Sequence, residues 1–338
     1  MRLKERIEIA VRLGEYLKSG DERLKGVMQN TYEHNGWFTV SHQEQAIAAI
    51  ADKFLSKSNL EQWLAAYSIP QATEPRTVGL ILAGNIPLVG FHDLLCVFMA
   101  GHRAKIKLSD KDPYWIPHLL QVLQELESAT SSYFICQSRL SDFEAVIATG
   151  SNNSARYFEA YFGKHPNIIR RNRNAVAVLD GKETHVDLLA LGLDVFQYFG
   201  LGCRNVSKLY VPDNYVFEPL LDAFYEYREI VLNNKYKNNF DYHYAIYIIN
   251  RIVFLANNAI LLREQEAIAS PIANLHYEFY SSLSDVQQKL LQQADQLQVV
   301  VSNLPLSGLP LVGFGKTQSP ELWDYADGED TMLFLLGL

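Results

Sequence analysis

Between residues 77 and 179 the sequence alternates short apolar runs with longer amphipathic stretches, and this alternation restricts the possible folds most strongly. The runs of β type lie at 77–83, 103–108, 143–149 and 175–179. The segments with helical spacing lie at 91–100, at 115–128 and directly after Gly150. Strands that alternate with helices of this length predict a parallel sheet covered by helices. The expected fold class is therefore α/β.

Outside this region the sequence predicts helices before it and a second α/β region after it. Residues 1–70 carry apolar positions at helical spacing, and a polar connector follows at 70–76. The last apolar run, 331–336, is interpreted as a strand. The other elements expected after residue 180 are helix 185–198, strand 208–211, helix 220–230, a hairpin around Asn257-Asn258 and helix 285–297.

Charge and cysteine usage exclude several classes of protein. The chain has 30 Lys and Arg against 38 Asp and Glu, whereas a general nucleic-acid binder needs a basic face. Three cysteines without a CxxC pair fit neither a disulfide scaffold nor a zinc site, so we expect no metal and a reducing, cytoplasmic location. No membrane span is expected, because polar residues interrupt the apolar stretches at 79–101 and 244–262.

Polar residues follow three of the predicted strands, at the edge where parallel sheets bind ligands. Asn85 lies in a Gly-Asn-Ile-Pro-Leu segment, where its amide can donate to an oxyanion or simply form a turn. Lys107 and Asp110 close the second strand and can either hold a ribose or form a solvated strand end. Gly150 and Ser151 begin a helix whose N-terminus favours phosphate, although the segment has no GxGxxG pattern.

Cys203 is the candidate nucleophile, because the glycines of its Gly-Leu-Gly-Cys-Arg-Asn segment leave room for a substrate. Thiolate is the attacking form, and a neighbouring cation or helix N-terminus would raise its fraction. The adjacent Arg204 is one such cation in the sequence. A lone cysteine is more often an inert hydrophobic residue, and Cys96 and Cys136, which lie in apolar segments, are interpreted in this way.

The order and spacing of these motifs over residues 75–212 resemble the aldehyde dehydrogenase superfamily. The positions that match its motifs are Asn85 for the oxyanion asparagine, Lys107 and Asp110 for the Lys-x-x-Glu cofactor segment, Gly150 and Ser151 for the turn before the nicotinamide-side helix, and Cys203 for the nucleophile. Within the superfamily the chain looks most like the acyl-CoA reductases that supply aldehyde to luciferase. The helices before residue 75 and the last third of the chain lie outside this resemblance.

The resemblance implies a Rossmann-type parallel-sheet cofactor domain plus an α/β catalytic domain, behind a helical N-terminal segment. We expect the helical segment at 1–70 and the dinucleotide-binding domain at 71–178. The catalytic domain carrying Cys203 is expected at 179–310. The C-terminal segment, 311–338, is expected to pack on the sheet or on a partner subunit.

The activity that the resemblance implies is NADPH-dependent reduction of a fatty acyl-CoA thioester to the aldehyde through an acyl-Cys203 intermediate, with NADH as the other candidate cofactor. The implied donor is acyl-CoA or an acyl-protein, the latter supplied by an acyl-protein synthetase partner. The superfamily's habit of forming oligomers suggests a homo-oligomer. Val178 matches the position of the family's general-base Glu, and the missing base favours reduction over hydrolysis. The resembling reductases use NADPH, and Arg170, Arg171 and Arg173 are candidates to meet a phosphate.

Three alternatives stay open at the level of the sequence. A CoA-acylating or oxidising aldehyde dehydrogenase would run from aldehyde to acid derivative. A cysteine acyltransferase or thioesterase would need a histidine base, for which His185 is the only close candidate in the sequence. A non-catalytic scaffold would keep the fold and lend its surface to a partner.

Overall fold

The structure is a computed structural model that describes residues 1–70 and 74–338, so residues 71–73 of the predicted connector 70–76 lie outside the described residues. The described chain forms two compact units. The first comprises Met1–Asn172 and Pro320–Leu338, and the second comprises Arg173–Ser319. The last nineteen residues of the chain thus return to the first unit.

The described helices and strands follow the alternation that the sequence predicts. The α-helices are α1 (Leu3–Lys18), α2 (Glu22–His34), α3 (Val40–Ala49), α4 (Lys57–Leu64), α5 (Phe91–Ala100), α6 (Trp115–Leu126), α7 (Asn152–Phe162), α8 (His185–Phe196), α9 (Glu218–Tyr225), α10 (Asn234–Ile249), α11 (Leu283–Gln292) and α12 (Thr331–Leu336). The strands are β1 (Thr77–Ile81), β2 (Arg103–Lys107), β3 (Phe134–Cys136), β4 (Ala145–Thr149), β5 (Asn167–Arg170), β6 (Asn174–Val178), β7 (Val206–Pro212), β8 (Leu255–Ala256), β9 (Leu261–Glu264), β10 (Asn274–Tyr280), β11 (Leu297–Val301) and β12 (Leu311–Val312).

The sheet of the first unit has, among the described residues, five parallel strands in the order β3-β2-β1-β4-β5. The chain builds outward from β1 through β2 to β3 and then crosses back to place β4 on the other side of β1. Helix α5 connects β1 to β2 and is buried along nearly its whole length. It ends at Gly101, whose φ of 87° is the left-handed conformation that commonly closes helices.

The N-terminal helices cover this sheet rather than forming a separate body. Helix α1 packs on α5 and α6, and its buried face carries Ile9, Leu13 and Leu17 at helical spacing. These residues belong to the same apolar core as α5 and the strands of the first sheet. No helix in residues 1–70 and 74–338 has both the length and the apolar character needed to cross a membrane.

The sheet of the second unit has, within the described ranges, seven strands in the order β12-β11-β6-β7-β10-β9-β8, all parallel to their neighbours except β8. Alternate residues of β6 face two different apolar clusters: Ala175 and Ala177 pack in one, and Val176 and Val178 in the other. The predicted strand 175–179 is therefore a central strand of the second sheet, and the two units divide at residues 172/173.

The strand predicted at 331–336 is wrong, because this segment is the helix α12. Asp330 caps it by accepting a hydrogen bond from the backbone N–H of Leu333 at 2.8 Å, and α12 then packs against α5 of the same unit. A short apolar run has no clear period, so only the capping residue distinguishes helix from strand here. Helix α10 and strands β10 and β11 are present in the structure but are not predicted from the sequence.

Candidate functional site

The carboxyl edge of the first sheet is the first candidate region, because its strand order reverses between β1 and β4. In open parallel sheets, ligands bind in the crevice beyond the strand ends at such a reversal. The loop that carries Asn85 follows β1, and the turn at Gly150 and Ser151 follows β4. The fold therefore places these predicted residues on the two sides of the reversal, with Lys107 at the end of the adjoining β2.

The loops after β1 and β2 lie directly against each other. A Cβ atom on Gly84 would come within 2.3 Å of the Ser109 Oγ, so only glycine fits there. Asn85 is half-buried beside this contact, and Lys107, which pairs with Ile81 in the sheet, is also half-buried. The structure thus brings the Asn85 loop and the segment that starts at Lys107 together.

Asp112 is a residue of this edge that sequence reasoning missed. Its Oδ2 accepts a hydrogen bond from the backbone N–H of Leu88 at 3.2 Å, which ties the loop after β2 to the loop after β1. Leu88 has a left-handed φ of 57°, which a leucine adopts only when its surroundings hold it there. Burial raises the pKa of Asp112 to about 6. An Asp-Pro pair just past a strand end was the available signal.

The C-terminal end of helix α2 holds the backbone of the same loop by side-chain contacts. His34 Nε2 lies 2.7 Å from the backbone oxygen of Asp110, and the Asn35 side-chain amide donates to the backbone oxygen of Lys111 at 3.1 Å. The Asp110 side chain itself is exposed. The backbone of the predicted ribose-binding segment is therefore fixed while its carboxylate faces solvent.

The turn after β4 has the form of a helix start that can receive an anion. Ser151 caps α7 by accepting a hydrogen bond from the backbone N–H of Ser154 at 3.1 Å. Gly150 is required by packing, because a Cβ there would lie 2.8 Å from the ring of Phe158. The helix N-terminus and the Lys107 ammonium are a donor set that fits the phosphates and ribose of a dinucleotide. Arg156, further along α7, is exposed.

Cys203 lies in the second unit, in a tight turn between α8 and β7. The backbone N–H of Asn205 donates to the Gly202 oxygen at 3.0 Å, so Cys203 and Arg204 are the two central residues of the turn. The Cys203 side chain is half-buried. The turn follows the carboxyl end of α8, so α8 does not present to it the helix N-terminus that would raise the thiolate fraction.

A second segment of the same unit borders this turn. Asp194 on α8 is 1% exposed, and its carboxylate accepts hydrogen bonds from the backbone N–H groups of Gly315 at 2.6 Å and Thr317 at 3.0 Å. Burial raises the pKa of Asp194. The next residue, Gln318, places its side-chain Nε2 3.4 Å from where a Cβ of Gly202 would lie. Sequence reasoning missed both Asp194 and Gln318, because their only signal is three-dimensional.

The three cysteines have different environments. Cys96 on α5 is completely buried, and burial raises the pKa of its thiol well above its usual value. Cys136 is exposed on β3, so its interpretation as a buried residue is wrong. The reason is that β3 is a three-residue edge strand, whose apolar side chains are only partly covered. Cys203 is intermediate between these two extremes.

Two further expectations are corrected by the structure. Arg170 is 4% exposed, and its guanidinium donates to Asp93 at 2.5 Å and to the Thr331 hydroxyl at 2.8 Å, so it is not available to bind a phosphate. Val178 is 1% exposed and packs in an apolar cluster with Tyr210. A side chain at position 178 therefore points into the core and cannot take the place of a general base.

His185, the candidate base of the acyltransferase alternative, lies at the N-terminus of α8 and is exposed. The Cys203 turn is attached to the other end of that helix. A helix rises about 1.5 Å per residue, so the eleven steps from residue 185 to residue 196 separate the two ends by about 16 Å. His185 is thus too far from the turn to accept a proton from Cys203.

No group of three or more His, Cys, Asp or Glu side chains in the described part of the chain is arranged to hold a metal ion. No protein-family model and no curated protein sequence matches the chain.

Several solved structures share its fold. Aldehyde dehydrogenase 21 from Physcomitrella patens, in complex with the reaction product succinate, superposes with a TM-score of 0.71 at 11% identity, covering 100% of this chain and 84% of that chain. An NADP-dependent enzyme from E. coli gives a TM-score of 0.68 at 14% identity over 95% of this chain and 79% of that chain. The aldehyde dehydrogenase KauB from Pseudomonas aeruginosa gives 0.66 at 12% identity, with 97% and 80% covered. The chain therefore has the aldehyde dehydrogenase fold, as expected from the sequence.

Proposed function

We propose that this protein reduces an acyl thioester to the aldehyde through a covalent intermediate on Cys203. The observation that carries the proposal is the placement of Cys203 in a fold shared with aldehyde dehydrogenases. Cys203 is half-buried in a hydrogen-bonded turn, whereas Cys96 is completely buried and Cys136 is exposed on an edge strand. A half-buried thiol remains accessible to a substrate while its surroundings control its reactivity.

The first step of the proposed reaction is acyl transfer. The Cys203 thiolate attacks the thioester carbonyl carbon, a new S–C bond forms, the original C–S bond breaks, and the donor thiolate leaves and takes up a proton. Asn85 and the Cys203 backbone N–H are the proposed donors to the oxyanion of the tetrahedral intermediate. Loss of one such donor typically slows a reaction by about 10²–10³-fold.

The second step requires a reductant, and NADPH or NADH is the proposed cofactor. When bound, the reduced nicotinamide would supply a hydride to the acyl carbon. The S–C bond to Cys203 would then break, so that the aldehyde leaves and the Cys203 thiolate is restored. Lys107 and Asp110 are the proposed ribose contacts, and Gly150 and Ser151 the proposed phosphate contacts. A solved structure of indole-3-acetaldehyde dehydrogenase with NAD+, which covers 85% of this chain at 14% identity, supports a nicotinamide cofactor in this fold.

The preference for reduction does not rest on Val178, since that side chain is in the core. It rests on the resemblance of the motifs to acyl-CoA reductases, with acyl-CoA or an acyl-protein as the proposed donor. The competing cysteine hydrolase lacks a candidate base, because His185 lies at the far end of α8, about 16 Å along the helix from the end that leads to the Cys203 turn.

Labelling with radioactive acyl-CoA tests the nucleophile. Cys203→Ala should abolish acyl-enzyme formation, whereas Cys96→Ala and Cys136→Ala should retain it. Label that persists on Cys203→Ala would overturn the proposal. Oxidation of NADPH and NADH, followed by absorbance across acyl-CoA chain lengths, then tests the redox step: steady acyl-CoA hydrolysis with no nucleotide consumed would identify a thioesterase.

A further inference from the structure

The segment that leads into the Cys203 turn has an unusual backbone. Tyr198 (φ 54°, ψ 28°), Phe199 (φ 58°, ψ 24°) and Gly200 (φ 74°) are three consecutive residues in the left-handed region. For residues other than glycine this conformation costs roughly 1–2 kcal/mol each. Such a backbone persists only where the surrounding structure holds it.

Part of that support comes from the two aromatic side chains of the segment. Tyr198 and Phe199 are both 6% exposed, and the Phe199 ring lies 6.0 Å from the ring of the buried Tyr236. The Tyr236 hydroxyl in turn donates to the backbone oxygen of Ala259 at 2.8 Å. These contacts anchor the start of the segment but do not reach the turn itself.

Asn205 supplies further support, and it acts on both sides of Cys203. Its Oδ1 accepts the backbone N–H of Gly202 at 2.8 Å, while its own backbone N–H donates to the Gly202 oxygen at 3.0 Å. The turn around Cys203 is therefore closed by two reciprocal hydrogen bonds to one residue. Asn205 is 2% exposed, so neither bond competes with bulk water.

The other end of the Asn205 amide joins this turn to α8. Its Nδ2 donates to the backbone oxygens of Asp194 at 3.1 Å and Gln197 at 2.8 Å. These oxygens belong to the end of α8, which has the negative end of the helix dipole. A neutral amide can donate to the helix end while accepting from the turn, whereas a carboxylate has no donor and would repel the carbonyls.

We propose that Asn205 is the positioning residue of the nucleophile: it locks the Cys203 turn onto α8, so that the thiol is held in one orientation for acyl transfer. This inference rests on the proposed function of Cys203. Displacing a reacting group by about 1 Å can cost about 10²-fold in rate, so a loosened turn should show in the chemistry before it shows in the fold.

The experiment compares Asn205→Ala and the isosteric Asn205→Asp with the full-length wild type. The rate of Cys203 acylation by acetyl-CoA and its alkylation by iodoacetamide are measured by mass spectrometry, with the exposed Cys136 of the same molecule as internal reference. We expect Asn205→Ala to slow acylation at saturating acetyl-CoA by 10-fold or more, with little change in the concentration that gives half the maximal rate. We expect Asn205→Asp to move the midpoint of the pH dependence of Cys203 alkylation upward by about one unit, because it adds a negative charge within the turn that carries Cys203.

Asn257→Ala is the matched control. Asn257 makes a comparable set of bonds in the hairpin between β8 and β9, where its Oδ1 accepts the N–H groups of Ala259 and Ile260 and its Nδ2 donates to the Leu221 oxygen. It should lower stability without altering the Cys203-to-Cys136 ratio. An equal effect of Asn257→Ala and Asn205→Ala on that ratio, or none from either Asn205 variant, would show a merely structural role and overturn the proposal.

A measurement on the wild type keeps the proposal testable should the variants not fold. Hydrogen exchange of the Gly202 amide should be slow, because Asn205 holds that N–H; exchange at the rate of an open loop overturns the inference. The two proposals fail separately. Acylation that survives Cys203→Ala removes the proposed function, whereas loss of acylation in Cys203→Ala with wild-type rates in both Asn205 variants removes only the role of Asn205.

Discussion

The buried carboxylate of Asp112 accepts a hydrogen bond from the backbone N–H of Leu88 at 3.2 Å, across the two loops that end β1 and β2. Leu88 has a positive φ of 57°, so the bond holds a backbone conformation that the chain would not adopt alone. Because Asn85 lies three residues before Leu88, the conformation of the Asn85 loop depends on a carboxylate that belongs to the neighbouring loop.

Asp112 should make the stability of the protein depend on pH. Burial raises the pKa of Asp112 to about 6 in the folded state, against about 3.9 for an unfolded chain. The folded state therefore binds more protons between these values, so the contribution of Asp112 is fully present below about pH 4 and is lost as the pH rises through about 6. A pKa difference of two units between the folded and unfolded states corresponds to a change of about 3 kcal/mol in the free energy of unfolding.

Asp112→Asn should remove this part of the pH dependence while keeping an oxygen for the Leu88 N–H. Urea unfolding at pH 4.5 and pH 7.5 measures it: the wild type should lose more free energy of unfolding on going to pH 7.5 than the variant does. Asp110→Asn, which changes an exposed carboxyl of the same loop, should behave as the wild type does. A variant Asp112→Asn with the same pH dependence as the wild type would contradict the assignment.

The three thiols should react in a defined order with iodoacetamide. Cys136 is exposed and Cys203 is half-buried, so both should be alkylated in the native protein. Cys96 is completely buried with a raised thiol pKa, so it should react only after unfolding in urea. Peptide mass spectrometry of the native and unfolded protein measures this, and native labelling of Cys96 would mean that α5 opens.

The α/β class and the alternation of strands with helices could be predicted from the sequence because each apolar run is bounded by glycine or polar residues. Strand 175–179 was also predicted as an element. That this strand, β6, belongs to the second sheet could not be predicted, because its apolar pattern is the same whichever neighbours it pairs with. The same holds for its neighbour β11 at residues 297–301, since an apolar run after a helix does not show that it pairs with β6.

Some residues of the candidate site could likewise be predicted from the sequence, and others could not. Asn85, Lys107 and Cys203 could be proposed because their residue types and spacing are unusual at strand ends and after a Gly-Leu-Gly segment. For Asp112 the sequence offers only the Asp-Pro pair after a strand, and for Asn205 it offers no signal, since each acts through the backbone of a residue that folding brings to it. Cys136 shows the opposite error, because an apolar sequence around a thiol does not reveal that its strand is at an edge.

Arg170 should be a larger contributor to stability than other arginines of the same region. Its guanidinium is buried and bridges Asp93 on α5 to Thr331 at the start of α12. Arg170→Met should lower the free energy of unfolding by about 3–5 kcal/mol, because it leaves the Asp93 carboxylate buried without its partner. The double variant Arg170→Met/Asp93→Leu should recover much of this loss.

Arg171→Met is the matched control for that measurement. Arg171 forms its ion pair with Glu159 at the surface, where such pairs contribute about 0–1 kcal/mol. Urea unfolding of these three variants and of Asp93→Leu alone gives the comparison. If the double variant is as unstable as the sum of the two single changes, the Arg170 and Asp93 side chains are not coupled.

Alanine substitutions in the C-terminal segment distinguish the helix α12 of the structure from the strand expected from the sequence. A helix buries residues three apart, and Met332 and Leu335 are completely buried while Leu333 is 65% exposed. Met332→Ala and Leu335→Ala should each lower the free energy of unfolding by about 2–5 kcal/mol, as the loss of buried apolar side chains usually does. Leu333→Ala should change it by no more than about 0.5 kcal/mol. A strand would instead bury residues 331, 333 and 335 together, so a large loss in Leu333→Ala with little effect of Met332→Ala would restore that interpretation.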